Sequence, residues 1–233
     1  MNRRIDTVLR TLNRVVFVPF LCCCLLPAFS PVYGPETALA GCAFDEACLP
    51  PRQNCAYGGV GTVGYASGHQ IRRLIVHDFS ACTIVAPGLT QPITFNCFLD
   101  LELSDNGGGS WSSYANVPAT CSMVFQWNGV GGGGEDIYAT SATQLDGGGG
   151  GGGGGLPLII RESPVLNSTG QSSVKLVGNS YAIESFFDVF TEISLDGGIN
   201  WLPGNGSCRE TLGPAGAIAT EASTWGAVKD TYR

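Results

Sequence analysis

Residues 185–201, SFFDVFTEISLDGGINW, place the tightest constraint on the fold of this chain. The first half carries aromatic and β-branched residues among acidic and hydroxyl residues, a pattern that is typical of a half-buried strand. Asp196, Gly197 and Gly198 then supply the positive φ angles of a tight turn, and Trp201 follows them. The stretch therefore predicts a strand that ends in a hairpin.

Other parts of the chain carry the same kind of pattern. In 93–104, ITFNCFLDLELS, apolar residues alternate with polar ones at period 2, which predicts a strand with one buried face. Shorter strands are expected at 70–79, 82–85, 122–127, 137–140, 156–161 and 173–177, and a long, strongly apolar strand is expected at 181–195. Residues from 202 onward are rich in turn formers. Many short strands without long amphipathic helices predict an all-β, single β-sandwich-like domain.

Glycine makes up 34 of the 233 residues and is concentrated in two places. Glycine runs have no side chains to pack and high backbone entropy. We therefore expect flexible glycine-rich loops at 129–134 and 147–155.

The first 40 residues have the organisation of an export signal. Four arginines precede an apolar run at 15–29, and Ala38-Leu39-Ala40 has the A-x-A form of a cleavage site. The run is short for a membrane span and holds two prolines. Residues 1–40 are thus interpreted as a signal peptide, which predicts a secreted, cell-surface or periplasmic protein without a transmembrane segment in its mature chain.

A second interpretation overlaps the cleavage site. Leu39-Ala40-Gly41-Cys42 has the form that precedes the lipidated cysteine of bacterial lipoproteins, so Cys42 is a candidate for lipidation. That form normally follows the apolar run directly, whereas residues 30–37, with two prolines and Glu36, intervene here. A lipid anchor through Cys42 is the alternative to secretion.

Seven of the ten cysteines lie outside the leader. An exported chain meets an oxidising environment, so disulfides are expected. The candidates besides Cys42 are Cys48, Cys55, Cys82, Cys97, Cys121 and Cys208, and the sequence does not choose their pairing. Three of the seven fall in a cysteine-rich N-terminal segment, 41–64, ahead of the β-domain at 65–233.

Charge and composition exclude one class of binding partner. The net charge is −7, and charged residues are 13% of the chain against roughly 25% in an average soluble domain. Nucleic-acid binding requires clustered lysine and arginine, so no nucleic-acid partner is expected.

Two stretches align without a gap, ELSDNGGGSW at 102–111 and EISLDGGINW at 192–201. The shared positions are Ser104, Asn106, Gly108, Trp111 in the first and Ser194, Asp196, Gly198, Trp201 in the second. This pattern resembles the Asp-box of sialidase-like and other β-propeller proteins, which implies two Asp-box-like hairpins with a structural role. The boxes lie about 90 residues apart, whereas propeller blades repeat every 40–50 residues. The resemblance therefore covers the hairpins only.

A wider resemblance covers 156–203. RESPVLNSTG at 161–170, followed by SFFDVFTEISLDGG and Trp201, is similar to a set of exported proteins of environmental bacteria. Many of them end in a short Pro-Glu-Pro sorting tail, but residues 224–233 of this chain hold no apolar anchor. The resemblance implies an exported β-domain and assigns no catalytic residue.

Three carboxylates recur at four-residue steps along the strand, namely Glu184, Asp188 and Glu192. Even spacing in a strand places them on one face, where the alternatives are a solvated acidic stripe, a weak calcium site or the acids of a glycoside hydrolase. The two histidines, His69 and His77, accompany no G-x-S-x-G motif, so no hydrolase triad is expected.

These observations favour a non-enzymatic exported β-domain with a surface, extracellular-matrix or adhesive role and no cofactor. The alternative is a carbohydrate-binding module, with calcium as its optional ion and a glycan or a cell-surface component as its partner. Its stacking faces would come from Trp127, Trp225, Tyr114 and Tyr138. A small glycoside hydrolase is the third hypothesis.

Overall fold

The structure is a computed structural model that describes residues 42–52, 54–59, 61–149 and 157–215. The leader at 1–40, most of the nine-glycine run and Trp225 lie outside these residues.

The described part of the chain is almost entirely β-structure. Its strands are β1 (Ala43–Phe44), β2 (Cys48–Leu49), β3 (Cys55–Gly59), β4 (Thr62–Gly64), β5 (Gln70–His77), β6 (Thr83–Ile84), β7 (Thr90–Ser104), β8 (Ser112–Val130), β9 (Asp136–Gly148), β10 (Ile159–Glu162), β11 (Ser168–Val177), β12 (Ser180–Ser194) and β13 (Leu202–Pro214). A single 3₁₀ turn, Ala66–Gly68, interrupts them.

Eleven of the strands form one antiparallel sheet, and β2 and β6 form a small second sheet. The main order is β1-β12-β10-β9-β8-β7-β5-β3-β13, with β11 between β9 and β12 and β4 beside β5. Because β13 also pairs with β12, the ladder of strand pairs closes on itself. The architecture is an all-β, sandwich-like domain, as the sequence predicts.

The core lies inside this closed sheet. Along β7 the residues at 95, 97, 99, 101 and 103 are buried and the residues between them point outward, as the period-2 pattern requires. Four aromatic rings meet edge to face at the centre of the core, those of Tyr57, Phe79, Phe95 and Phe187. Their packing couples β3, β7 and β12 in one apolar cluster.

The cysteine-rich segment 41–64 is built into this domain. Its strand β1 pairs with β12, and β3 lies between β5 and β13. Two disulfides, Cys42–Cys55 and Cys48–Cys82, fix the segment further. A sulfur in a disulfide cannot carry a lipid, so the Cys42–Cys55 bond and a lipid anchor on Cys42 exclude each other.

Strand β13 corrects the turn-rich interpretation of the region from 202 onward. Its two prolines lie near its ends, at 203 and 214, where the loss of a ladder donor matters least. Between them it pairs with β12 on one side and β3 on the other. Two-sided pairing thus overrides a low local strand propensity.

Both glycine-rich stretches are partly strand. Residues 129 and 130 end β8, and Gly131–Gly134 make the turn into β9, where the Gly131 amide bonds the Glu135 carbonyl at 2.8 Å. Gly147 lies in β9, where a Cβ would come within 2.6 Å of Leu99 Cδ1. Gly147 is therefore a packing requirement of the sheet, not the start of a flexible loop.

Candidate functional site

The hairpin after β12 is held by its own side chains. Ser194 Oγ donates to Asp196 Oδ1 at 2.7 Å and accepts from the Gly198 amide at 2.8 Å. Asp196 Oδ1 also accepts from the amides of Ile199 and Asn200, at 3.1 and 2.9 Å. The Asn200 amide and its companion donors lower the pKa of Asp196 to about 2. The carboxylate is thus a fixed acceptor within its own turn.

The hairpin after β7 repeats this network. Ser104 Oγ donates to Asn106 Oδ1 at 2.9 Å and accepts from the Gly108 amide at 2.9 Å. Asn106 Oδ1 accepts from the Ser110 amide at 2.9 Å, as Asp196 does from Asn200. Gly108 and Gly198 both have a φ near +90°, which explains why both boxes hold glycine there.

Each hairpin carries one further element, which we call an arginine clasp: an arginine on the neighbouring strand that pairs with a glutamate and stacks on the box tryptophan. In the second clasp Arg161 of β10 lies opposite Glu192 and donates two hydrogen bonds to Glu192 Oε2, at 2.7 and 3.1 Å. Its guanidinium lies 3.8 Å from the centre of the Trp201 ring.

The first clasp has the same register. Arg72 of β5 lies opposite Glu102, bonds its Oε2 and stacks 4.0 Å above Trp111. Arg73 binds the second oxygen of Glu102 at 2.9 Å. Burial raises the pKa of Glu102, but the hydrogen bonds and charges of the two arginines outweigh it and leave that pKa below its usual value.

The RESP…S-x-G motif locks β10 and β11 onto β12. Arg161 is the clasp arginine, and the Ser163 amide donates to the Phe190 carbonyl at 2.8 Å. Ser168 Oγ accepts from the Phe190 amide at 3.0 Å. A Cβ on Gly170 would run into the Phe186 carbonyl oxygen, so only glycine fits. Every one of these contacts serves strand pairing.

The acidic residues of β12 do not form a shared site. Asp188 is bound by Arg209 through two hydrogen bonds, at 2.6 and 2.9 Å, and Glu192 is held by Arg161. Glu184 is exposed. Among the described residues no group of three His, Cys, Asp or Glu side chains is placed to hold a metal ion. Arginine partners thus occupy two of the three calcium and hydrolase candidates.

Three of the four candidate stacking aromatics are not on an open surface. Tyr114 and Tyr138 are 4% and 1% exposed, so both are core residues. Trp127 is half-buried and donates its indole N–H to Asp136 Oδ1 at 3.2 Å. Trp225 lies outside the described residues. The tyrosine predictions are therefore wrong, because both residues occupy the inward phase of their strands.

The outer face of β7, β8 and β9 carries a groove of about 580 Å³, which we call the Phe98 groove. Phe98 is 39% exposed, and Pro118 on the paired position of β8 adds a second apolar face. Polar groups border them, namely Asp78, Ser80, Asn96, Thr120 and Asp146. Two carboxylates, an amide and two hydroxyls around an exposed ring form a surface that combines stacking with hydrogen bonding.

Neighbouring contacts order the polar rim of the Phe98 groove. Thr120 Oγ1 donates to Asn96 Oδ1 at 3.2 Å, and Gln144 Nε2 donates to Asp146 Oδ2 at 2.6 Å. The end of β9 contributes Gly147, Gly148 and Gly149 to the same groove. Because these residues have no side chains, the groove stays open above the sheet.

Sequence reasoning missed Phe98, although a signal was present. In β7 the odd positions from 95 to 103 are apolar and buried, whereas the even positions Asn96, Asp100 and Glu102 are polar. Phe98 is an aromatic residue in the polar phase of that pattern. The alternation of the strand alone therefore identifies Phe98 as a ring on the outer face of β7.

His77 lies beside the Phe98 groove, with its ring centre 6.2 Å from that of Phe98. Its Nδ1 is 3.1 Å from Asp78 Oδ2, and its Nε2 is 3.3 Å from Asp100 Oδ1. Carboxylates therefore face both ring nitrogens. A hydrolase triad requires one imidazole nitrogen to face a nucleophilic hydroxyl. In this arrangement neither nitrogen of His77 does so.

A second groove, of about 360 Å³, lies on the outer face of β11, β12 and β13 and includes Glu184, Phe186 and Arg209. The guanidinium of Arg209 covers the Phe186 ring at 4.4 Å and is bound to Asp188. The aromatic face of this groove is thus already occupied. The Phe98 groove is the better candidate for a binding site.

One acidic residue lies inside the core. Glu210 of β13 is 1% exposed. Neither of its carboxyl oxygens accepts a well-formed hydrogen bond, and the polar group that interacts with it is the Cys208 thiol, a weak donor. Burial raises the pKa of Glu210 to about 8. The sequence gives no sign of this buried acid, because the region from 202 onward is interpreted there as turns and not as the strand β13.

Within the described residues, no helix is long and apolar enough to cross a membrane. In comparisons with known proteins, no family model, no curated protein and no solved structure matches this chain.

Proposed function

We propose that the protein is an exported, non-enzymatic β-domain that acts at a cell surface or in an extracellular matrix. One observation carries this proposal: both copies of the repeated motif are used in arginine clasps that tie strand ends together. Asp188 is likewise held by an arginine. Two of the three acids that a hydrolase would employ, Asp188 and Glu192, are thereby committed to the fold.

Further features support an exported location. Two disulfides staple the N-terminal segment, and such bonds persist in oxidising compartments. The leader at 1–40 has the organisation of a signal peptide, and residues 156–203 resemble exported bacterial proteins. Secretion is preferred over a lipid anchor because Cys42 is joined to Cys55.

Expression of the full chain with a C-terminal tag in a bacterial host tests the location. We expect the tagged protein outside the cytoplasm, with its leader removed and without lipid on Cys42, as read from intact mass. A cytoplasmic protein that retains its leader would overturn the proposal. A lipidated Cys42 would instead establish the anchored alternative.

A second experiment tests the enzymatic hypothesis. We expect no turnover on a panel of glycosides and esters. Turnover that Glu192→Gln abolishes would refute the non-enzymatic assignment.

A second candidate function is carbohydrate binding at the Phe98 groove. It is favoured by the exposed ring of Phe98, the carboxylates of Asp78 and Asp146 and the amide of Asn96 in one concavity. Sugars present apolar C–H faces to aromatic rings and hydroxyl groups to carboxylates and amides. A glycan in this groove would give the domain its adhesive role.

A glycan array with wild type and Phe98→Ala tests this function. We expect wild type to bind, and Phe98→Ala to bind about tenfold more weakly, since loss of a stacking ring costs on the order of 1 kcal/mol or more. Leu176→Ala is the control, because Leu176 is exposed on β11 outside the groove. We expect a chelator to leave binding unchanged, because arginines hold Asp188 and Glu192. An array with no bound glycan would refute the function.

A further inference from the structure

Seven cysteines lie among the described residues, and four of them form the two disulfides. The other three, Cys97, Cys121 and Cys208, are thiols in the structure, although all three are candidates from sequence. An odd number leaves at least one thiol without a partner in the chain. The geometry around these three cysteines shows which of them stays a thiol.

Cys97 on β7 and Cys121 on β8 lie side by side in the core. Their sulfur atoms are 3.1 Å apart, and the residues are 3% and 2% exposed. Cys97 is opposite Ala119, and Cys121 is opposite Phe95, so the pair is a diagonal one across adjacent strands. The twist of a sheet shortens one of its two diagonals.

We propose that Cys97 and Cys121 form a third disulfide in the exported protein. A disulfide bond is about 2.05 Å long, so the sulfurs need to approach by only about 1 Å. Each thiol loses one proton and one electron. The electron pair passes to the disulfide of an oxidant, either an exported dithiol oxidase or a low-molecular-weight disulfide, which is reduced to two thiols.

Cys208 then remains as the single thiol of the described chain. It is 4% exposed on β13, and burial raises its pKa. A thiol that is sheltered from solvent and kept protonated reacts slowly. The seventh cysteine therefore does not need an intermolecular partner, and the three disulfides are all intrachain.

The third disulfide also bears on the Phe98 groove. Cys97 lies between Asn96 and Phe98, and Ala119 lies between Pro118 and Thr120, so the bond ties together β7 and β8, two of the three strands that form the groove. The covalent link thereby fixes the spacing between the aromatic ring and the polar rim.

This inference rests on the exported location proposed above, because a reducing compartment keeps thiols reduced. Peptide mapping tests it on the full chain after free thiols are alkylated in denaturant. Trypsin is unsuitable, since no lysine or arginine lies between Arg73 and Arg161 and one peptide would hold Cys82, Cys97 and Cys121. Pepsin cuts within this region, and the acidic pH at which it works suppresses disulfide exchange because thiols stay protonated.

Two samples distinguish a failure of the disulfide assignment from a failure of the proposed exported location. The first is protein exported by the host, and the second is reduced, denatured protein refolded in a glutathione redox buffer. We expect a Cys97–Cys121 cross-link in both and an alkyl group on Cys208 alone among the three residues. Alkylated Cys97 and Cys121 in the refolded sample, or a bond from Cys208 to either, would overturn the inference. If all cysteines are alkylated in the host sample only, the location is wrong and the pairing stands.

Variants provide a second measurement. Cys208→Ala should retain the Cys97–Cys121 cross-link and lose the alkylated thiol. Cys97→Ala/Cys121→Ala should leave Cys208 alkylated and melt at a lower temperature than Cys208→Ala. If Cys97→Ala/Cys121→Ala shifts Cys208 into a stable cross-link with another cysteine, the assignment of Cys208 as the sheltered thiol is refuted.

Discussion

Glu210→Gln should make the protein more stable at neutral pH and change how its stability depends on pH. Glu210 is buried on β13 without a well-formed hydrogen bond, and its pKa rises from 4.5 to about 8 on folding. The folded state therefore keeps the carboxyl protonated at pH 7, whereas the unfolded state ionises it. Glutamine has nearly the same shape and no proton to release, so it removes this difference.

The sign and size follow from proton linkage. Because the pKa is higher in the folded state, this carboxyl does not penalise folding below pH 4.5, and the penalty grows as pH rises to about 8 and is constant above it. One pKa unit corresponds to about 1.4 kcal/mol. The ionisation of Glu210 therefore lowers the free energy of unfolding by about 3 kcal/mol at pH 7 and by about 5 kcal/mol at the plateau.

Urea unfolding followed by tryptophan fluorescence, at several values between about pH 4 and pH 9, measures the effect. The free energies of wild type and Glu210→Gln should be similar at the acid end and diverge as pH rises, with the variant more stable. Glu184→Gln, which removes an exposed carboxyl from the adjacent strand β12, is the control. Parallel curves for wild type and Glu210→Gln would refute the reasoning, since a constant gap means that Glu210 does not titrate differently on folding.

Four further changes test the clasps and the close strand contacts. Gly170→Ala should destabilise the domain by about 3 kcal/mol or more, because its Cβ meets the Phe186 carbonyl oxygen; unchanged urea unfolding would contradict the β11–β12 contact. Trp201→Ala should cost about 2 kcal/mol, less than a fully buried tryptophan, because the ring is half-buried under Arg161. Trp111→Ala should cost a similar amount in the same assay, and a loss at only one of the two positions would show that the clasps are not equivalent. Arg161→Lys should weaken the second clasp by about 1 kcal/mol, since lysine lacks the planar fork, and its loss should shrink in a Trp201→Ala background.

The sequence predicts the fold class well because two of its signals are local. Period-2 alternation in β7 and the box residues of both hairpins depend on neighbours a few positions away. Strand β13 is different. Its glycines and prolines argue against a strand, and only the neighbours β3 and β12, which are distant in sequence, supply the hydrogen bonds that make it one.

The candidate site was less predictable, for the same reason. Tyr114 and Tyr138 are aromatic residues of the kind that bind sugars, but the register of β8 and β9 turns both inward. Phe98 is visible in the sequence as an outward-phase aromatic, yet Asp146 reaches the same groove only through the pairing of β9 with β8. A single sequence records the phase of each strand but not which strands become neighbours.

The arginine clasps explain why the two boxes recur so far apart in the chain. Glu102 and Glu192 each precede a box serine by two residues, and each lies opposite an arginine on an adjacent antiparallel strand. The arginine neutralises the glutamate and covers the tryptophan, so one side chain joins two strands and a hairpin end. Since this unit occurs on both the β5–β7 pair and the β10–β12 pair, the repeat is one of tertiary contacts and not only of a hairpin. The Phe98 groove lies on β7, β8 and β9; β7 belongs to one clasped pair, and β9 is the neighbour of β10 in the other. Clasps on both sides therefore hold the groove's strands in place.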